Sequence, residues 1–324
     1  INSGKISNKG WEISVSGVPV KVKNFEWKTI FNWSKNNSMV ESLPEGIDKI
    51  QIGSGVYNVK SYAEVGKPYG AIYAKTFKRD AEGYILCQLD GSPKEGQDYE
   101  YLGCVQADWR GGWNNVFRLG NFSFSVMFDF QKGGKFFSQT SIQSSVDGQS
   151  VKSLEGRDAD FFSRKILGES DEERYGFMRP QNANTPTANG QIYPDWGRPK
   201  GVVLPNCRYD EDVEGLAGQQ VLGYCTPERY WMHYTSRDIS RFIYDASYVK
   251  IQNINLEYSL PRHWVDKTRI FGNVSIFASA NNVYTFTSYP GPSPESFSTD
   301  AIEGASVDND MYPTCLLYTS DAAD

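Results

Sequence analysis

Between Asp245 and Glu295 the chain carries two long segments in which apolar and polar positions alternate, joined by a short polar stretch. In the first, Ile254, Leu256, Tyr258 and Leu260 alternate with Asn253, Asn255, Glu257 and Ser259. In the second, Ile270, Val274, Ile276 and Ala278 are set against Arg269, Asn273, Ser275 and Ser279. A period of two is the signature of strands with one apolar face, and the pair reads as a hairpin. Strands of about 15 residues are long for a soluble sheet, whereas crossing a bilayer takes roughly 9 to 11 residues plus any part that protrudes.

The same alternation recurs upstream. Gly10 to Ser16 sets Trp11, Ile13 and Val15 against Glu12, Ser14 and Ser16; after a turn at 17–22, the next strand puts Phe25, Trp27, Phe31 and Trp33 on one face. The cleanest strand places Phe122, Phe124, Val126, Phe128 and Phe130 opposite Ser123, Ser125 and Asp129. In water such aromatic faces are a liability unless buried in a sandwich core; on a barrel they face lipid, with Trp favoured near the interfaces. Trp27, Phe31, Phe122, Phe124, Phe128 and Ile276 are the expected lipid-facing set. Residues 69–79 and 83–88 read as a further hairpin turning at 80–82, on weaker alternation.

Eight strands laid in alternating directions put tight turns at 17–22, 80–82, 119–121 and 261–267. The long excursions, 36–68, 89–111, 132–245 and 287–313, then all fall on the other side. This asymmetry is that of an outer-membrane barrel, with short periplasmic turns and long extracellular loops. The expected fold is all-β: an antiparallel transmembrane β-barrel, present as an open part of about eight long strands. The segment 132–245 is too long for an ordinary loop and is expected to be functional, partly folded or both.

Composition narrows this only at the margins. An apolar content of 39% over 324 residues suits a soluble core or a barrel, and no run approaches the 18 apolar residues of a membrane helix. The net charge of -6, without a concentrated basic patch, argues against nucleic acid as a partner. With two histidines and no HExxH, GxSxG or phosphate-loop motif, an enzyme is not expected. The acidic groups at Asp158 and Asp160, Asp171 to Glu173 and Asp210 to Asp212 read as solvated loop surface; no metal site or cofactor is expected. The five cysteines form no CxxC pair; Cys207 and Cys225 could form a surface disulfide or stand as two thiols. In the long excursion, Tyr193, Trp196, Tyr230 and Trp231 either pack the loops together or offer flat faces with polar tips to a sugar or peptide.

Several stretches carry a resemblance to the SusC/RagA family of TonB-dependent outer-membrane transporters. NKGWEISV is similar to that family's NKGIELSL strand, and Gly103, Gly111, Gly112, Asn115, Phe117, Phe122, Ser125, Phe128, Gly133 and Gly134 keep the spacing of its IGxPxPxxxGGxxNxFxYKxFxLSxxFxGxxGG segment. Tyr248 to Pro261 and Ser279 to Thr287 resemble its YxxxxNxxLxYxLP and SGQNLFTFT strands, with Gly291, Pro294 and Glu295 where its GYDPE loop stands. Asn281, Val283 and Tyr284 depart from the Gln, Leu and Phe of its last strand motif.

The resemblance implies that residues 1–313 form about a third of a plugged barrel of roughly 22 strands, in the outer membrane of a Gram-negative, Bacteroidetes-like bacterium. It implies import of glycans or oligopeptides with a SusD-like surface lipoprotein as a lid. TonB would act through a plug and TonB-binding segment lying upstream of these residues. The other reading weighed for the sequence is a secreted or surface-attached all-β module that binds carbohydrate or protein. The family follows a Tyr-Pro like Tyr312 and Pro313 with a last strand ending in an aromatic residue, whereas this chain continues TCLLYTSDAAD. Residues 314–324 are therefore expected to be a non-native tail that pairs poorly with residues 268–285, leaving a sheet with two open edges.

Overall fold

The computed structural model describes residues 4–154, 202–225, 230–295, 307–308 and 317–323. Its strands in chain order are β1 (Lys5–Val22), β2 (Phe25–Ser42), β3 (Lys49–Val56), β4 (Val59–Glu64), β5 (Ala71–Phe77), β6 (Ile85–Cys87), β7 (Glu95–Cys104), β8 (Ala107–Leu119), β9 (Phe122–Gly133) and β10 (Lys135–Ser138). After helix α1 (Gln139–Val146) come β11 (Val202–Tyr209), β12 (Gln220–Cys225), β13 (Ile243–Asp245) and β14 (Tyr248–Ser259). A short helix α2 (Arg262–Thr268) leads to β15 (Ser275–Thr287), β16 (Val307–Asp308) and β17 (Leu317–Ala323).

One large antiparallel sheet runs β1-β2-β8-β9-β14-β15-β17, and its two outer strands do not pair with each other. Strands β8, β9, β14 and β15 have 12 or 13 residues. At ~3.3 Å per residue they reach ~40 Å, enough to cross a bilayer when tilted. The tight connections, Lys23-Asn24, Gly120-Asn121 and the α2 segment, lie on one side. The returns from β2 to β8, β9 to β14 and β15 to β17 lie on the other.

Register shows how the alternation becomes two faces. Val20, Trp27, Phe117, Phe124, Leu256 and Ala278 form one cross-strand row. Val15, Phe31, Trp113, Phe128, Ile251 and Tyr284 form another on the same face. Along β14 the apolar positions change parity between Ile251 and Ile254, a slip that would turn half the strand inside out. The register shift between Ile251 and Asn253 absorbs it, so both isoleucines stay on the apolar face.

Three expectations are corrected. The turn placed at 17–22 lies at Lys23-Asn24: β1 continues through Pro19 by a register irregularity between Gly17 and Val20, where the missing proline N–H is tolerated. Residues 69–79 and 83–88 are not barrel strands. β5 is buried along almost its whole length and pairs with β4 and β7, while β6 pairs in parallel with β11. The turn itself forms, closed by the Gly83 N–H on the Asp80 carbonyl at 3.0 Å, with the Asp80 N–H on the Tyr84 carbonyl at 3.0 Å and the Leu86 N–H on the Lys78 carbonyl at 2.8 Å, and Arg79 and Ile85 form a short bridge across it. Finally, the tail does pair: β17 runs antiparallel to β15 from Asn281↔Leu317 to Ser275↔Ala323. Ladder bonds join backbone to backbone, so a segment need not match a family pattern to extend a sheet.

The buried apolar core is not under the large sheet. It lies among the long excursions, where Val59, Ile72, Phe77, Cys207, Trp231 and Phe242 pack in one cluster. Three small sheets, β3-β4-β5-β7, β12-β11-β6 and β13-β10-β16, carry it, so the region behaves as a folded cap rather than as separate loops.

Candidate functional site

The two faces of the large sheet differ in chemistry as well as in hydropathy. On the apolar face Phe31, Phe122, Phe124 and Ile276 are exposed to the surroundings, while Trp27 and Phe128 are half-buried against neighbouring rings. Trp27 stacks on Phe117 at 5.9 Å and Phe128 on Trp113 at 5.8 Å. Polar groups on this face are paired within it. Trp27 Nε1 and Thr29 Oγ1 each donate to Asn115 Oδ1 at 3.0 Å, and Trp113 Nε1 donates to Thr29 Oγ1 at 2.9 Å. Such internal pairing is what hydrocarbon demands of a polar side chain.

The opposite face is a wall of amides, hydroxyls and ions. Asn255 Nδ2 donates to Asn253 Oδ1, and Asn253 Nδ2 to Asn281 Oδ1, both at 2.6 Å; Ser14 Oγ donates to Asn32 Oδ1 at 2.7 Å. Toward the cap, Tyr248 donates to Asp129 Oδ2 at 3.1 Å and the buried Lys250 pairs with Glu295 at 2.6 Å. Gly133 and Gly134, which end β9 beside this wall, have φ of 74° and 84°, and a Cβ at Gly133 would lie 2.4 Å from the Asp108 carboxylate. Only glycine fits that approach.

Within the cap, Asp210 sits at the end of β11 with its carboxylate on Lys78 at 2.9 Å and Lys94 at 2.8 Å. The two lysines flank the β6 segment, so one carboxylate fastens residues 202–225 to residues 71–104. Among the described residues no cluster of three metal-ligating side chains occurs.

No protein-family model matches the chain. It is 23% identical to TonB-dependent receptor P3 of Formosa agariphila, across 98% of this chain and 28% of that protein. It is 22% identical to the TonB-dependent receptor SusC of Bacteroides thetaiotaomicron, across 98% and 26%. The chain thus spans little more than a quarter of these relatives. Among solved structures it superposes on the RagAB peptide importer in its closed-closed state with a TM-score of 0.59 at 15% identity, covering 99% of this chain and 30% of that one. A second structure, the RagAB peptide transporter, gives 0.57 at 16% identity over 99% and 29%. The chain is SusC/RagA-like, and its place is the outer membrane. These relatives are receptors and transporters, not enzymes.

In a SusC/RagA-like barrel the apolar face meets lipid and the polar wall lines the lumen. All six residues of the expected lipid-facing set lie on that one face by register. The aromatics singled out for ligand contact fare differently. Tyr193 and Trp196 lie outside the described residues. Tyr230 and Trp231 are each 1% exposed, packed edge to face at 5.2 Å with the Arg241 guanidinium over both rings. They are given to packing, because a single wide helical turn, Tyr230–Tyr234, folds them into the cap core.

The expected Cys207–Cys225 alternative is also settled by register. Cys225 stands opposite Val202 and Cys207 opposite Val221, five positions apart along β11 and ~16 Å at ~3.3 Å per residue. That exceeds the ~7 Å Cα reach of a disulfide.

The Asn253-Asn255-Asn281 ladder and the Lys250–Glu295 pair were not anticipated. The signal for the ladder was present as asparagines at alternate positions of one strand. Glu295, 45 residues from Lys250, gave none.

Asp210 carries a pH dependence. Burial pushes its carboxyl up, but hydrogen bonds from Lys94, Lys78 and the Glu211 N–H outweigh this and hold it down at about 2. A folded-state pKa below the unfolded value adds stability above the unfolded pKa, which is lost as pH falls through the folded one. The expected contribution, about 2 kcal/mol at neutral pH, disappears between pH 4 and 2. Limited proteolysis of the cap across that range should show it, and Asp210→Asn should abolish this part of the acid sensitivity.

Proposed function

We propose that these residues form part of the barrel wall and the extracellular cap of an importer that takes up glycans or oligopeptides through the outer membrane. A SusD-like surface lipoprotein closes over the cap side, and substrate held between the two is released into the lumen when TonB acts on a plug contributed by sequence outside these residues. The observation that carries this reading is the division of one sheet into a lipid-compatible face and a hydrogen-bonded polar face, with its long excursions gathered on one side into a packed cap. A module secreted into water would have to cover the apolar face, and among the described residues nothing packs on it. RagAB, on which the sheet superposes, is a peptide importer, which favours oligopeptides among the substrate classes.

Binding of substrate is proposed to involve Tyr193 and Trp196, whose rings offer a flat face and a polar tip. In the intact receptor, Tyr193→Ala and Trp196→Ala are expected to reduce uptake of labelled oligopeptide or glycan about ten-fold while leaving heat-modifiable barrel assembly unchanged. Uptake should also require TonB, and the receptor should co-purify with a surface lipoprotein. TonB-independent uptake, or loss of assembly in both variants, would overturn the reading.

A further inference from the structure

The turn side of the large sheet has its own surface chemistry. The connection between β14 and β15 reads PRHWVDKTRIFGN, and Pro261 opens α2 there. Val265 is its buried anchor, and Arg269, at a φ of 54°, ends it. Around that anchor the apolar side chains point away from the protein: Trp264 is 54% exposed, Ile270 81% and Phe271 41%. Interleaved with them are Arg262, Lys267 and Arg269, all exposed, with Asp266 the one acid among them. None of the three bases makes an ion pair among the described residues. By contrast, Lys21 on β1 and Arg118 on β8, at the same turn side of the sheet, share Glu26 at 2.8 and 3.3 Å. This basic run stands in a chain whose net charge is -6.

Three large exposed apolar side chains in one short segment cost free energy in water. They are continuous with the lipid-facing sheet: the last cross-strand pair of that face before α2 is Tyr258↔Ile276, beside the exposed Phe122 and Leu119. Apolar residues with interspersed bases at the end of membrane-spanning strands match the headgroup region of a bilayer, where rings and aliphatics reach the acyl boundary and cations meet phosphates.

We infer that the segment Arg262–Phe271 is a docking surface for anionic phospholipid in the periplasmic leaflet. Trp264, Ile270 and Phe271 seat at the acyl boundary, and Arg262, Lys267 and Arg269 bind headgroup phosphate. This rests on the membrane placement of the sheet and is independent of what the receptor imports.

The test uses the intact receptor in phosphatidylcholine bilayers doped with spin-labelled phosphatidylglycerol or spin-labelled phosphatidylcholine, reading the motionally restricted fraction by electron spin resonance. The wild type should bind the anionic label about five-fold more strongly than the zwitterionic one, a preference that high salt weakens. Arg262→Gln/Lys267→Gln/Arg269→Gln should bring the ratio close to one, while Lys75→Gln, in the cap, should leave it unchanged. If the triple variant fails to show heat-modifiable folding, Lys267→Gln alone should still lower the ratio measurably. A wild type without preference, or a folded triple variant that keeps it, overturns the inference. Retained lipid preference with lost TonB-driven uptake would assign the surface to a periplasmic protein and overturn it equally.

Discussion

Phe124→Arg in the intact receptor is expected to cost about 1–3 kcal/mol of folding free energy in a bilayer, between the interfacial and midplane penalties for arginine on a lipid-exposed face. Phe124 shares its row with Trp27, Phe117 and Leu256, and the apolar rows extend on either side, from Phe122 to Phe130. It therefore stands one row in from the turn-side end of the band expected to meet lipid, where a guanidinium must leave water or thin the bilayer around it. Ser125→Arg, one residue along, points to the other face beside Asn255 and meets water and amides instead. It should cost less than about 1 kcal/mol. Urea titrations of both variants folded into lipid vesicles compare the two directly. Equal penalties would mean that the faces are assigned the wrong way or that the sheet does not meet lipid.

The second large effect belongs to the cap. Trp231→Ala removes a fully buried indole from the cluster that also holds Phe77, Cys207 and Phe242, and should destabilise the cap by about 3–5 kcal/mol through lost burial and the cavity left behind. The barrel, which shares no core with it, should assemble normally. Hydrogen exchange across residues 202–225 and 230–245 is the appropriate readout: protection there should fall, and protection in β8, β9 and β14 should not. Trp231→Phe should recover part of the loss. Were Trp231→Ala to lower uptake with cap protection intact, the indole would be a ligand contact after all and its packing incidental.

The contrast between Trp231 and Phe124 marks a limit of pattern reading. Both are large aromatic rings. Phe124 lies in a strict alternation, and a period of two has one geometric meaning: every second side chain shares a face. Trp231 lies in a mixed run, YWMHYT, where no period distinguishes a ring turned into a core from one turned toward a ligand. The same reasoning separates β9, read correctly from its phenylalanines, from β5. There both faces are buried, the apolar run is continuous, and its pairing with β4 and β7 could not be read from the nearby turn at Asp80.

What the sequence by itself determined was therefore local and periodic: the long β14–β15 hairpin, β9, the single face shared by the set expected to meet lipid, and the side on which the tight turns fall. Tertiary structure alone decided the matters that depend on contacts between distant segments. It showed that 43–106 is a single excursion folded into a cap, that Asp210 is held by Lys78 and Lys94 from more than a hundred residues away, and that Cys207 and Cys225 are out of register. It also showed that the last residues extend the sheet. The physical reason is that an alternating strand chooses its faces from its own side chains against its solvent. An excursion rich in mixed residues lowers its free energy only by finding partners elsewhere, and nothing in its own order names them.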